Sequence, residues 1–255
     1  KPHTLEEEQK LLQYTIRATL SSLYQVNQYY HFDAATESAL LMAYKQLLSE
    51  IKNSQSEIDF DELAEAHYLR LQNWLVKHQP HVIHQYPSSE PVIKNPVVCA
   101  EYSVITQLNI LGIDCQKLKE PILDIGCGRE HHLVTYLHQR GLEVYGIDRE
   151  AIPSDRVFRI SWTDYNFKPG SWGTLISHLG FTNHFYHHHL KAGGDHLLYA
   201  KKYLQLLQSL RRNGRFYYTP GVPFIEAFLD PSHYLVMRKS VPQTSFYAMT
   251  IERLW

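Results

Sequence analysis

Up to about residue 111 the apolar positions recur at helical spacing. Leu11, Leu12 and Ile16 follow Thr4-Leu-Glu-Glu7, which has the form of a capping box. Leu40, Leu41, Tyr44, Leu47 and Leu48 follow Asp33, and Leu63, Ala66, Leu69, Leu71 and Leu75 follow Asp59-Phe-Asp-Glu62. Each set predicts one helix, opened by a side chain able to accept the first N–H groups. Pro80 ends the third helix. The interval from His81 to Pro96, with Pro87, Ser88, Ser89 and Pro91, reads as a linker, and a further helix is expected over Val97–Leu111.

From Glu120 the pattern changes to short apolar runs alternating with helices, as in βαβ units around a parallel sheet. Strands are expected at Ile122–Ile125, Glu143–Ile147, Val157–Trp162, Trp172–Leu179 and Arg215–Thr219. Helices are expected over Glu130–Gln139 and over Asp195–Arg212, the latter stopped by Asn213-Gly214. Tyr234–Val241 and Ser245–Leu254, joined by Pro242-Gln243-Thr244, form an antiparallel pair. The predicted architecture is α/β: a Rossmann-like seven-stranded, mostly parallel sheet with a terminal antiparallel pair. An all-helical subdomain precedes it, giving domains at 1–96 and 97–255. A helical part packed over the open, C-terminal edge of the sheet would act as a lid on a ligand there. Tyr24, Tyr29, Tyr30 and His31 either line such a pocket or make a helix–helix contact.

Composition narrows the function classes. The 25 Lys+Arg against 26 Asp+Glu give a net charge of −1, without the basic field that gathers a nucleic-acid backbone. A nucleic-acid partner is not expected. The three cysteines, Cys99, Cys115 and Cys127, contain no C-x-x-C pair and read as reduced thiols of a cytoplasmic protein. The opening KPHTLEEEQK has no signal-like apolar region, and no run is long enough to cross a bilayer. His187, His188 and His189 are consecutive, so their side chains diverge, and no metal site is expected.

The chemistry concentrates in Ile122–Leu133, ILDIGCGREHHL. A strand, a Gly-x-Gly turn and a helix should leave backbone N–H groups free at the helix start for a negative group. A dinucleotide loop needs G-x-G-x-x-G, and His131 stands where the last glycine belongs. Asp124 and Glu130 also flank the turn with carboxylates, which repel a pyrophosphate in a site of reduced dielectric and attract an ammonium. S-adenosylmethionine carries an α-amino cation, a sulfonium and no phosphate.

In these residues the sequence resembles the class I S-adenosylmethionine-dependent methyltransferases, whose first motif runs acid-x-Gly-x-Gly-x-Gly after an apolar strand. Asp124, Gly126 and Gly128 match it, and Glu130 replaces the third glycine. The resemblance implies S-adenosylmethionine as cofactor and S-adenosylhomocysteine as product. It assigns Asp148, at the end of the second strand, to the ribose hydroxyls, about 20 residues past the glycines. It also implies a polar reader of the adenine amino group after the third strand. Asp164 stands there, with an Asx turn as its competing reading, and Trp162 or Tyr165 would pack on the purine face.

Methyl transfer from a sulfonium needs alignment and desolvation more than a fixed catalytic side chain. His178 and His184, after the fourth strand, are the candidates for a base or an acceptor-orienting group, beside the reading of His184 as a loop residue without a role. No Asn/Asp-Pro-Pro-Tyr-like element follows that strand. The expected function is methylation of oxygen or nitrogen on a small-molecule acceptor, a metabolite or natural product. The competing readings are transfer of the cofactor's aminoalkyl arm and a methyltransferase-like binding module without turnover. For the module the sequence offers Glu130, and Gly173 where many relatives begin strand four with an acid.

Overall fold

The computed structural model describes residues 4–30, 32–53, 60–78, 102–190, 193–242, 244 and 246–255. Its contacts divide the chain into two compact units, residues 1–100 and 101–255. The linker expected over 81–96 lies outside the described residues.

The first unit contains α1 (Leu5–Val26), α2 (Ala34–Asn53) and α3 (Phe60–His78). The capping box at Thr4 is formed: Thr4 Oγ1 accepts from the Glu7 N–H at 3.2 Å, and Glu7 Oε2 accepts from the Thr4 N–H at 3.1 Å. Asp33 Oδ1 accepts from the Thr36 N–H at 2.8 Å and so opens α2. Leu40 of the spacing read from the sequence joins Leu20, Tyr30, Phe32 and Trp74 in a buried core, with Ile16, Tyr44, Leu71 and Leu75 packed against it, while Leu11 and Leu69 are exposed. Tyr30 is buried and Tyr24 packs against this core, while His31 lies outside the described residues.

A polar cluster accompanies that core. The His67 ring stands 4.9 Å from the Tyr44 ring, and both His67 nitrogens are buried without a hydrogen-bond partner. Arg70 pairs with Glu50 at 2.6 Å. Burial first, and the Arg70 charge second, push the His67 imidazole below its usual 6.5. The folded unit therefore binds fewer protons than the unfolded chain as pH falls below 6.5. This stability is complete above that pH and is lost as pH descends toward the lower folded value. His67→Phe is expected to flatten that acid-side decline in pH-dependent urea denaturation; an unchanged slope would remove His67 as its source.

The second unit begins with α4 (Val104–Leu111), capped by Ser103 and closed by Gly112 at φ 67°. The expected start at Val97 lies outside the described residues. Next come β1 (Ile122–Ile125), α5 (His132–His138), β2 (Val144–Asp148), β3 (Val157–Arg159) and β4 (Trp172–His178). They are followed by α6 (Phe181–Leu190), α7 (His196–Ser209), β5 (Leu210–Thr219), α8 (Pro223–Glu226), β6 (Tyr234–Ser240) and β7 (Tyr247–Arg253). The sheet has seven strands in the order β3-β2-β1-β4-β5-β7-β6. Pairings among the first five are parallel, and β7 runs antiparallel to both β5 and β6.

Side chains alternate across a strand, so each strand feeds two cores. Leu123, Ile125, Leu175 and Phe216 meet Phe181, Phe185, Tyr199 and Tyr203 of α6 and α7 on one face. Ile122, Val144, Ile176 and Tyr217 meet Leu108, Leu111, Leu133 and Val134 of α4 and α5 on the other.

Three expectations are corrected. Asn213-Gly214 does not stop a helix: α7 ends at Ser209 and β5 already begins at Leu210. Asn213 takes the left-handed conformation (φ 58°) inside an irregular stretch of strand, and a Cβ on Gly214 would stand 2.8 Å from the Arg211 carbonyl oxygen. β3 is shorter than expected because the chain turns at Ser161, whose carbonyl accepts from the Asp164 N–H at 3.0 Å and the Tyr165 N–H at 2.9 Å. The segment after β4, read as a loop, is α6.

Candidate functional site

The carboxyl ends of β1, β2 and β4 converge on the glycine turn. Gly126 and Gly128 have φ of 80° and 78°, a region where any side chain would be strained. The turn is held from β2: the N–H groups of Gly126 and Cys127 donate to the Ile147 carbonyl at 2.8 and 3.2 Å, and the Gly128 N–H donates to Asp148 Oδ2 at 3.2 Å. These three N–H groups of the turn, which precede the helix start, are thus engaged inside the protein. α5, two turns long, starts at a left-handed His131 with no side-chain cap.

Packing fixes the turn from the other sides. A Cβ on Gly126 would stand 3.2 Å from Trp162 Cζ3 and 3.4 Å from Gly180 Cα. The Trp162 ring is enclosed further by Phe181 (6.3 Å) and His184 (4.9 Å), both edge-on. Ser177, unnoticed in the sequence, ties β4 to the same place: its Oγ donates to the Ile125 carbonyl at 2.9 Å and accepts from the Phe181 N–H at 3.0 Å. Between Ser177 and α6, Leu179 adopts φ 54°, held by its N–H donating to Thr219 O at 2.9 Å. Strain of this kind persists where surrounding structure over-determines the backbone.

The electrostatics centre on two carboxyls. Asp124 is 2% exposed, and burial first, then the neighbouring Asp148 charge, push its carboxyl up to about 7. Asp148 is half-buried. Burial raises it too, opposed by the Glu150 N–H on Oδ1 (2.8 Å), the Arg149 charge and the Gly128 N–H. A phosphate here would meet two acids and no free donor on residues 126–128.

The other residues singled out in the sequence distribute as follows. Asp164 is exposed on the turn after β3, where its charge acts on Lys202 of α7, and the Lys202 ammonium donates to the Tyr165 carbonyl at 3.1 Å. Tyr165 is half-buried, its ring 4.8 Å from Phe167. His178 ends β4 two residues beyond Ile176, which lies opposite Asp124, so the alternation of the strand puts it on Asp124's face of the sheet. Its Nε2 is buried without a hydrogen-bond partner, its ring meets Tyr102 edge-on at 4.9 Å, and burial lowers its basicity to about 4. His184 is buried on α6 against Trp162, on the opposite face. The turn therefore gathers Asp124, Gly126, Gly128, Asp148 and Trp162, with His178 and His184 on separate sides of the sheet edge. Glu130 is exposed, 3.7 Å from Arg129.

The parallel strands with an antiparallel pair at one end make the Rossmann-like sheet that the sequence resemblance implies for a class I methyltransferase. No family model matches the chain, and no curated protein does. Among solved structures it is similar to an rRNA methylase from Streptococcus thermophilus, at 13% identity and a TM-score of 0.40, covering 62% of this chain and 100% of that one. SMU.1697c from Streptococcus mutans, in complex with SAH, is 15% identical with a TM-score of 0.40 over 61% of this chain and 100% of that one. The N-methyltransferase NodS from Bradyrhizobium japonicum is 9% identical with a TM-score of 0.36, over 52% and 85%. No described helix is long and apolar enough to cross a membrane.

Proposed function

We propose that the chain is an S-adenosylmethionine-dependent methyltransferase that methylates oxygen or nitrogen of a small-molecule acceptor. One observation carries the reading: the turn between β1 and α5 offers a cationic ligand two carboxyls while the N–H groups of Gly126, Cys127 and Gly128 are spent on β2. That arrangement suits an amino-acid nucleoside and disfavours a pyrophosphate.

In this reading the bound cofactor supplies the electrophilic methyl group, and the protein binds, orients and excludes water. Asp124 attracts the ammonium. Asp148, whose oxygens keep lone pairs beyond the two backbone donors, takes the ribose hydroxyls. Tyr165 covers the purine with Asp164 near its amino group, and Trp162 supports the turn from behind. His178, neutral at physiological pH and a weak base, is the group able to orient the acceptor by accepting a hydrogen bond from it. The near-zero net charge supports a small acceptor over a polyanion. The alternative of a module without turnover loses one support, since Glu130 sits exposed at the helix start and opposes no ligand cation.

Calorimetric titration with S-adenosylmethionine and S-adenosylhomocysteine tests the reading. Both are expected to bind, and Asp148→Ala is expected to weaken them by about 1–3 kcal/mol, the loss of a charged hydrogen bond. Unaltered affinity in that variant would take Asp148 out of the site, and silence with both ligands would end the proposal.

A further inference from the structure

We propose that the site exchanges a proton for its ligand's cation: Asp124 holds a proton until an ammonium binds beside it and Asp148, and that proton then leaves to solvent. The inference rests on the cofactor reading above.

The geometry separates the two acids. Burial raises Asp148 as well, but it has backbone N–H groups on both oxygens, from Gly128 and Glu150, and the Arg149 charge nearby, each of which favours its ionised form. Asp124, 2% exposed in the middle of the sheet, has no such donor among the described residues, and the charge acting on it is the negative one of Asp148. Two carboxylates this close in a poorly solvated place do not both ionise cheaply, so the pair retains one proton and Asp124 carries it. Its displacement to about 7 agrees.

Among the described residues, none of the elements packed against Asp124 supplies it a competing charge. On its face of the sheet, α4 and α5 present Leu108, Leu111, Leu133 and Val134. β2 opposes it with Gly146, where a Cβ would stand 2.9 Å from Cys127 Sγ. β4 opposes it with Ile176 and, further along, His178, which burial keeps neutral. Against these described neighbours a ligand ammonium would bring Asp124 a positive charge, and its arrival favours the ionised form. Atoms and charge balance: the carboxylic O–H bond breaks, its electron pair stays on Asp124, and a solvent base takes the proton.

The test is calorimetric titration of the whole chain with S-adenosylhomocysteine, in buffers of different ionisation enthalpy, from pH 5.5 to 8. Near pH 7 roughly half a proton is expected to be released per ligand bound, approaching one at lower pH, with affinity falling toward tenfold per pH unit on the acid side. Asp124→Asn is expected to abolish both the release and the slope. Should that variant not fold, infrared difference spectra of the native chain give a second readout: the carbonyl stretch of a protonated carboxyl is expected to disappear on adding ligand at pH 6. Binding with no proton exchanged and pH-independent affinity would overturn this inference alone. Absence of binding would remove it together with the cofactor reading.

Discussion

Trp162→Ala is expected to destabilise the unit of residues 101–255 by about 3–5 kcal/mol, the usual cost of emptying a buried indole site. The ring is 8% exposed. Around it stand Gly126, Phe181 and His184, which come from the glycine turn and from α6. These parts are joined to separate strands, so neither can collapse into the void without moving its strand end. The same substitution removes the wall behind Gly126. Affinity for S-adenosylhomocysteine, measured where the variant is still folded, is therefore expected to fall as well. Urea denaturation followed by far-ultraviolet circular dichroism checks the first effect and calorimetry the second. A stability change under about 1 kcal/mol would show that the indole does not hold this region together.

Trp162 also marks the limit of what the sequence discloses. The resemblance put Trp162, at the end of the expected third strand, or Tyr165 on the purine face; the Trp162 side chain turns inward and packs on the glycine turn. The sequence does place the indole near the ligand end of the sheet, because strand order and loop position follow from the apolar runs. It does not tell which way the ring faces, which depends on the missing Cβ of Gly126 and on an α6 that was not anticipated. That helix was hidden by its own composition: Phe181, Phe185 and His188 fall on one buried face at helical spacing, but histidines at 184 and 187–189 dilute the apolar signal. Asn213-Gly214 shows the converse problem. A pair suited to a left-handed residue fits the end of a helix and an irregular strand equally well, and the choice lay with Leu210, whose burial is decided by the sheet.

At the site, Asp124 and Asp148 were legible because strand ends are readable and carboxylates are rare inside a sheet. The engagement of the turn's N–H groups by β2 was not legible. Backbone donors carry no sequence signal of their own, and their use depends on how closely β2 approaches the turn. Ser177 belongs with them: a hydroxyl in an apolar run suggests burial with a partner, but the Ile125 carbonyl is named only by the fold.

Gly173 carries the second prediction, because the space for a side chain there is closed by backbone. A Cβ built there would stand 2.5 Å from the Lys119 carbonyl oxygen and 2.6 Å from that of Glu120. Both obstacles are backbone. The segment that carries them is pinned to β4, because the Gly173 N–H donates to Pro121 O at 2.9 Å and Thr174 Oγ1 donates to Lys119 O at 2.8 Å while accepting from the Lys119 N–H at 3.0 Å. Neither side can retreat without breaking a buried hydrogen bond. Gly173→Ala is therefore expected to cost about 3 kcal/mol, the upper part of the range for overpacking a closed site, and Gly173→Asp more, since it would also bury a charge. Urea denaturation measures both, and an alanine variant within about 0.5 kcal/mol of the native chain would refute the steric account. An acid at this position would meet the same two carbonyl oxygens. The glycine at this position thus follows from the close approach of residues 119–121.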